Sequence, residues 1–390
     1  MILGAGLAGL YTAYTLLKKD PDRTLHILEA SNRAGGRIHT YKDSFMQVEA
    51  GAGRFSDKHV LLMELLHELE LTKIQPISNE VEYTEKTPFH MKYIVGKIVV
   101  AGKLDVYHDL TSMSFLDYAK LIVTQDEIEF LKDAFGYSTE LTIMNAKNAI
   151  DLMGELNSSF FVLEGGLSQV IDELVRRIRI YPNVVIHLNE PVVSITKRKN
   201  EYIITTTKQK YVTPLCICTL PKQVLETMPI SKPFRSSLQK IKCGPLCRIY
   251  CTFEKPWFKN VKYTTSNPIR MIIPYSKNTI MISYSDGKYA TFWNDIHKKH
   301  GIAGVNYALQ ELIYECLHIK IPLPLKTNVF YWHCGVGYWG IHANSEKLAA
   351  KIMNPFPHFY ICGEHYSATH QQWMEGALET SQQVCNLIGK

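Results

Sequence analysis

An α/β fold follows from three features of this 390-residue chain. A glycine-rich turn joins a strand to a helix at the very start, strands dominate a long middle stretch, and strand–helix order returns at the end. The expected architecture is a Rossmann-like dinucleotide-binding domain interleaved with an α+β substrate domain that contains a mixed or antiparallel sheet. Met1-Ile2-Leu3 reads as the end of a strand, shorter than the first strand such folds usually carry, and Gly4 opens the turn. Leu7 to Lys19 reads as a helix and Thr24 to Glu29 as the next strand, the first unit of a doubly wound parallel sheet.

The remaining elements follow from period and punctuation. Ser56 to Leu71 reads as an amphipathic helix, since Leu62, Leu65, Leu66 and Leu69 form one stripe. The stretch 114–152 has helical period, and Phe160 to Leu163 is a short strand. Gly165-Gly166 then precedes a helix running to about Arg179. Val184 to Leu220 alternates as strands, and three more strand-like runs follow: CRIYCTFE, IRMIIPYS and TIMISYSD. Helical segments are expected near 290–299 and 304–319, a strand at FYICGE, and a last helix from Trp373 to Ile388. No repeat or Gly/Ser linker separates these runs, so the domains are expected to interleave. Segments 1–55, 165–230 and 335–390 are assigned to the dinucleotide-binding domain, and 56–164 and 231–334 to the substrate domain.

Composition narrows the function. Hydrophobic residues make up 46% and charged residues 21%, the balance of a globular chain rather than a disordered one. The net charge of +6 is mild and suits an anionic cofactor. The longest basic run, Lys197-Arg198-Lys199, sits where a strand turns and reads as a solvated hairpin, so no nucleic-acid partner is expected. Nine cysteines are scattered without a paired framework, which suits reduced thiols in a cytoplasmic protein. Their spacing lacks CxxC pairs, and no HxxxH or HExxH occurs, so no metal site is assigned. No signal peptide or 18-residue apolar run points to a membrane.

The chemistry begins at Gly4-Ala5-Gly6-Leu7-Ala8-Gly9. In a GxGxxG turn the first glycine permits the tight bend, the second admits a pyrophosphate, and the third lets helix and strand pack closely. The helix N-terminus at Leu7 and Ala8 offers free N–H groups and a positive dipole end. Glu29 lies twenty residues after Gly9, at the end of the next strand, where its carboxylate can accept both hydroxyls of an adenosine ribose. Beyond it, Glu29-Ala30-Ser31-Asn32-Arg33-Ala34-Gly35-Gly36-Arg37 places two glycines and a guanidinium suited to pyrophosphate.

These residues resemble the flavin-containing amine oxidoreductase family, which includes monoamine oxidases, polyamine oxidases and L-amino-acid oxidases. The family pattern E-A-x(4)-G-G-R is present at 29–37. Glu49-Ala50-Gly51-Ala52-Gly53-Arg54 resembles its glycine-rich segment beside the flavin, and Glu164-Gly165-Gly166-Leu167 its strand-to-helix turn. Cys218-Thr219-Leu220-Pro221 resembles its T-x-P strand end, and Gly363-Glu364-His365 with Trp373-Met374-Glu375-Gly376-Ala377 its closing motif. The resemblance spans residue 4 to about residue 388. It implies FAD as cofactor, with Gly51, Ala52, Gly53, Arg54, Val192, Gly363, Glu364, Met374 and Ala377 joining the earlier motif residues at the cofactor. A cysteine that tethers FAD in some members is replaced by Gly337, with Cys334 three residues away, so non-covalent FAD is expected.

At the closing motif, backbone N–H groups at Gly363 can approach the second phosphate and Glu364 a ribityl hydroxyl. The helix starting near Trp373 aims its dipole at the flavin edge that gains negative charge. The resemblance makes Trp373 and Tyr338 the walls of an aromatic cage before the flavin, and so candidates for both substrate binding and catalysis. It also makes Arg54 a substrate-carboxylate clamp, as in L-amino-acid oxidases; an ion pair with Glu49 or a contact to FAD is the alternative. Arg248 stands where the family usually has a lysine beside the flavin. Arginine keeps the cation but cannot lose its proton, which leaves an acceptor other than oxygen open. Tyr137 and Glu140 read as a core tyrosine and a capping glutamate, with cavity lining as the alternative.

The expected function is oxidation of a primary amine, an L-α-amino acid because of Arg54. A hydride passes from the α-carbon to flavin N5, the resulting imine hydrolyses, and oxygen accepts the electrons to give hydrogen peroxide. The alternatives are a polyamine or monoamine oxidase, a flavin dehydrogenase with another acceptor, and a flavin-loaded scaffold with little turnover.

Overall fold

The computed structural model describes residues 1–154 and 158–389; residues 155–157, within the span assigned to the substrate domain, and residue 390 lie outside the described residues. Five strands form an all-parallel sheet in the order Phe359–Ile361, Cys216–Cys218, Ile2–Leu3, Leu25–Leu28 and Val184–His187. The first strand sits at its centre although only two residues long. One neighbour is the next strand in the chain and the other, Cys216–Cys218, comes from mid-chain, so the strand order reverses direction at Leu3 and makes its end a topological switch point where ligands bind in such sheets.

Helices cover one face of this sheet. Leu7–Lys19 buries Leu7, Leu10, Ala13, Leu16 and Leu17 against Met374–Ile388 and Ser168–Ile178. Ser168–Ile178 contributes Val170, Ile171, Leu174 and Ile178, each burial contributing roughly 1.5–3 kcal/mol relative to exposure. A second cluster, with Leu3, Leu28, Ile195, Phe234 and Trp339, fills the other face.

The second large sheet is mixed, as expected. Its order is Lys326–Trp339, Ile241–Thr252, Thr279–Asp286, Met271–Pro274, Tyr263–Thr264 and Glu82–Tyr83, antiparallel but for the last pair. Helix Gly287–Leu317 packs on it through Ala290, Trp293, Val305, Leu309 and Ile313. It is kinked at Gly301, whose φ of 62° breaks the helical path, which accounts for the two helical segments read in the sequence. The region 114–152 is helical and capped locally: Thr124 and Glu127 form a capping box on Gln125–Ala134, and Asn145 caps Ala146–Met153.

Two expectations are corrected. Ser56 belongs to the strand Phe55–Ser56 rather than to a helix. His59 Nδ1 accepts the Ser56 N–H and forces a turn, so the helix begins at Val60, where Glu375 accepts the N–H groups of Leu61 and Leu62. The thiols are not all reduced either: Cys243 and Cys334 form a disulfide between two adjacent strands, their Cα atoms 5.3 Å apart. Sequence spacing hid this pair because 91 residues separate it and only strand register brings it together. Seven other cysteines are free. No described helix is long and apolar enough to cross a membrane, and no His/Cys/Asp/Glu group among the described residues is arranged to hold a metal.

Candidate active site

The glycine-rich turn is built for close approach. Gly4 has φ 106°, and a Cβ on Gly9 would lie 2.0 Å from the Gly4 carbonyl oxygen. Thr219, from the CTLP strand end, closes the turn from the other side, its hydroxyl donating to the Leu3 and Gly4 carbonyls. A Cβ on Gly6, by contrast, would meet nothing within 4 Å, and no side chain caps the helix that starts at Leu7. Uncapped N–H groups facing open space are what a bound phosphate needs. Glu29 lies beside this turn, its two oxygens accepting from the Ala5 N–H and from Ser31. Gly35 and Gly36 both have positive φ, and a Cβ on Gly51 would lie 1.9 Å from the Arg37 carbonyl oxygen. Leu7, Ala8, Met374 and Ala377 are buried in the shared helical core, Ala30 is exposed at the loop, and half-buried Ala52 packs against that core. Val192 starts the strand Val192–Arg198, at a bulge.

Arg37 and Glu364 are joined directly. The guanidinium donates to Glu364 Oε2 at 2.5 Å and to the Gly335 carbonyl. Glu364 Oε1 accepts the N–H groups of Gly337 and Gln372. Burial alone would push this carboxyl up, but Arg37 and the other donors outweigh it and hold its pKa below the ordinary value. The geometry therefore gives Glu364 the duty of locking Arg37 and two loops, in place of the free ribityl contact expected. The Gly363 N–H, expected to face a phosphate, donates instead to Thr380 Oγ1. At φ 135° that position is one only glycine adopts readily. The helix Met374–Ile388 has no side-chain cap, so its N-terminus stays available.

A second constellation lies between the sheets. The Arg54 guanidinium stacks on Phe160 at 4.7 Å and Trp373 at 5.8 Å. It forms no ion pair among the described residues. The pairing with Glu49 held open as an alternative is absent: Glu49 is buried and accepts from Thr40 and the Leu167 N–H. Next in the chain, Gly53 faces Arg248, where a Cβ would lie 3.0 Å from the guanidinium. Arg248 donates to the Glu49 carbonyl and lies 4.6 Å above the Tyr284 ring. Burial opposes its charge, but Tyr284 and Tyr250 offset that and its pKa is raised, so it remains a cation. Tyr284 meets Tyr137 edge to face at 5.4 Å.

Glu140 departs from the capping reading: no side chain caps the helix Thr139–Thr142. Tyr137 and Glu140 are both half-buried. Glu140 caps nothing. The carboxylate that does hold this segment is Asp286, which accepts the N–H groups of Ser138 and Thr139. Burial and the nearby Asp286 push the Glu140 carboxyl up to about 8, against the pull of Arg54. Tyr137 is raised by burial and Tyr284, and feels Arg54, Glu140 and Arg248 together.

The structure thus brings Arg54, Trp373 and Arg248 into one region with Phe160, Tyr137, Glu140 and Tyr284. Tyr338 is 2% exposed and packs with the helical cluster of 94–153, and it makes no ring contact with Trp373. Phe160 and Tyr284 carried no motif in the sequence; their only signal is an aromatic on a strand. A groove of ≈ 670 Å³ lined by Arg33, Ile171, Val175 and Arg179 is not lined by any of these residues.

The family model described as flavin containing amine oxidoreductase matches residues 7–96 and 103–389. An L-amino-acid oxidase of Crotalus adamanteus is 20% identical over 450 aligned positions, covering 97% of this chain and 84% of its own. The L-amino-acid oxidase apoxin-1 of Crotalus atrox is 22% identical with the same coverage. A solved putrescine oxidase double mutant superposes with a TM-score of 0.80 at 16% identity, covering 100% of this chain and 98% of its own.

Proposed function

Because this chain belongs to the flavin-containing amine oxidoreductase family, and is a FAD-dependent amine oxidoreductase, we propose that it oxidises the C–N bond of an L-α-amino acid. The observation that carries this reading is Arg54: a half-buried guanidinium, without an ion-pair partner among the described residues, placed over two aromatic rings. Its hydrogen-bonding edges remain for a carboxylate, the planar partner that a forked donor matches best.

The residues present fit FAD. The open face above Gly6 and the uncapped helix at Leu7 would hold its pyrophosphate with Arg37, and Glu29 its ribose. Bound there, FAD supplies the two-electron acceptor for the hydride leaving the substrate's α-carbon. Non-covalent binding is supported by Gly337 and by the disulfide that occupies Cys334. Arg54 orients the substrate, Trp373 and Phe160 fix Arg54, and Arg248 keeps a positive charge at the far side of Gly53. The raised pKa values of Tyr137 and Tyr338 keep both phenols protonated. Oxygen is the proposed final acceptor, and the imine product hydrolyses to a keto acid and ammonia.

The test is anaerobic bleaching of the flavin bands by L-amino acids, followed by readmission of air to separate oxidase from dehydrogenase. Arg54→Ala should lower kcat/KM for the best amino acid by roughly 10²-fold or more, as loss of a charged bidentate contact does. An unchanged kcat/KM would instead leave the second reading, a polyamine or monoamine oxidase.

A further inference from the structure

Two strands of the second large sheet fall out of step beside the Arg37–Glu364 pair. Between Ile241–Thr252 and Lys326–Trp339 the register runs from Gly244 opposite Val336 to Leu246 opposite Trp332, so Pro245 alone faces His333, Cys334 and Gly335. Proline has no N–H to give the ladder, and a bulge leaves backbone groups for other partners. The Gly335 carbonyl accepts from Arg37 at 3.0 Å. Two residues on, the Gly337 N–H donates to Glu364, which holds Arg37 from the other side. The disulfide Cys243–Cys334 ties the strands where their ladder is interrupted.

Its two sulfurs have different surroundings. Cys243 is half-buried and follows the exposed Lys242. Cys334 is 6% exposed, and its Sγ lies 3.8 Å from His365 Nε2. Burial first, then Arg37, push the His365 pKa down to about 3, so the ring is neutral. Its Nδ1 accepts the Lys222 N–H, which leaves the ring proton on Nε2, facing the sulfur. The Arg37 guanidinium lies 3.2 Å from the same nitrogen, and Glu364 Oε2 3.5 Å. An N–H donor and a nearby cation make Cys334 the better leaving group, while Cys243 offers the more open sulfur for attack.

We propose that Cys243–Cys334 is a thiol-exchange site whose reduction loosens Arg37 and so lowers the affinity for FAD. This rests on the reading that Arg37 meets the FAD pyrophosphate. A thiolate attacks Cys243 Sγ, the S–S bond breaks, and its electron pair leaves on Cys334 Sγ. A second thiol attacks the mixed disulfide and frees Cys243. Two electrons and two protons pass from the two reductant thiols to the pair, and the reductant becomes a disulfide. Without the tie the bulge is free to shift, and the Gly335 carbonyl no longer fixes Arg37.

The test compares the FAD-loaded protein in its oxidised form with the same protein after dithiothreitol treatment and removal of the reagent without air. Alkylation after unfolding should count seven thiols before treatment and nine after it. FAD released on serial dilution, read by its fluorescence, should give a Kd roughly tenfold higher for the reduced form, the scale of one charged contact. Cys243→Ser should match reduced wild type and be indifferent to dithiothreitol. Arg37→Ala should bind FAD more weakly at the outset, and reduction should add nothing further to that loss. The wild-type comparison stands even if a variant fails to fold. Equal Kd values for oxidised and reduced wild type would overturn the proposal. A count that stays at seven after treatment of the folded protein would also overturn it, because the disulfide would then be structural only. Arg37→Ala binding FAD as tightly as wild type would overturn the Arg37 reading, and the proposal with it. A full tenfold effect of reduction persisting in a weakened Arg37→Ala would overturn the proposal while leaving the Arg37 contact intact.

Discussion

At the residue scale, Glu140 sets a measurable pH dependence. Its carboxyl is raised from the ordinary 4.5 to about 8, by burial first and then by Asp286, with Arg54 opposing and the raised phenols of Tyr137 and Tyr338 nearby. The folded protein therefore holds a proton that the unfolded chain releases near 4.5. Stability from this group is complete below that value and is lost as pH rises toward 8. Glu140→Gln keeps the shape without the charge. Its melting temperature should match wild type near pH 5 and exceed it increasingly between pH 5 and 8 in thermal scans without substrate. Parallel curves would show that the carboxyl is solvated and the cleft wetter than its enclosure implies. Arg54 belongs to the same scale: its role follows from two ring contacts and a missing partner, neither of which is a property of arginine alone.

At the element scale, the first turn and helix separate stability from binding. Gly9 and Gly6 look equivalent in GxGxxG, but a methyl on Gly9 would lie 2.0 Å from a backbone oxygen and one on Gly6 would meet nothing within 4 Å. Gly6 also has ordinary extended backbone, φ −76° and ψ 179°. Gly6→Ala should leave apo stability within about 0.5 kcal/mol, as for other changes that touch nothing, and should still lose flavin because the methyl fills the phosphate face. Gly9→Ala should lose both, by roughly 1–3 kcal/mol of overpacking. Denaturant melts of the apo proteins, paired with flavin absorbance after reconstitution, check the split. If Gly6→Ala retained flavin, the open face above the turn would not be the phosphate site. Elsewhere, elements are pinned by distant partners: Glu375 caps the helix Val60–Glu68, and Cys243–Cys334 ties the two strands that carry Arg248 and Tyr338.

At the scale of the whole molecule, the cofactor region is woven from segments that lie far apart in the chain. The Arg37–Glu364 pair, with its bonds to Gly335, Gly337 and Gln372, joins the start, the second large sheet and the C-terminal motif. Such a knot should unfold as one unit. FAD at 100 times its Kd should raise the stability of that unit by about 2.7 kcal/mol and shift a single calorimetric transition upward. Two transitions, only one of them responsive to FAD, would show that the sheets unfold independently despite these links.

The sequence by itself determined the dinucleotide turn, Glu29, the class of each sheet, the break between the helical segments 290–299 and 304–319, and the family resemblance. Each of these is written in local signals: a glycine where backbone must bend or approach, a carboxylate at fixed spacing, a change of hydrophobic period. It also placed Arg54, Trp373 and Arg248 on the list of site residues. What only the tertiary structure decided is who meets whom. Glu140 looked like a capping residue because glutamate in a first helical turn can complete a capping box, yet Asp286 from a distant strand takes that duty. Cys243 and Cys334 looked unrelated, Phe160 and Tyr284 carried no motif, and Glu364 was expected at a ribityl hydroxyl rather than on Arg37. Strand register and the burial of charge settle these, and both depend on contacts between segments that no local pattern encodes.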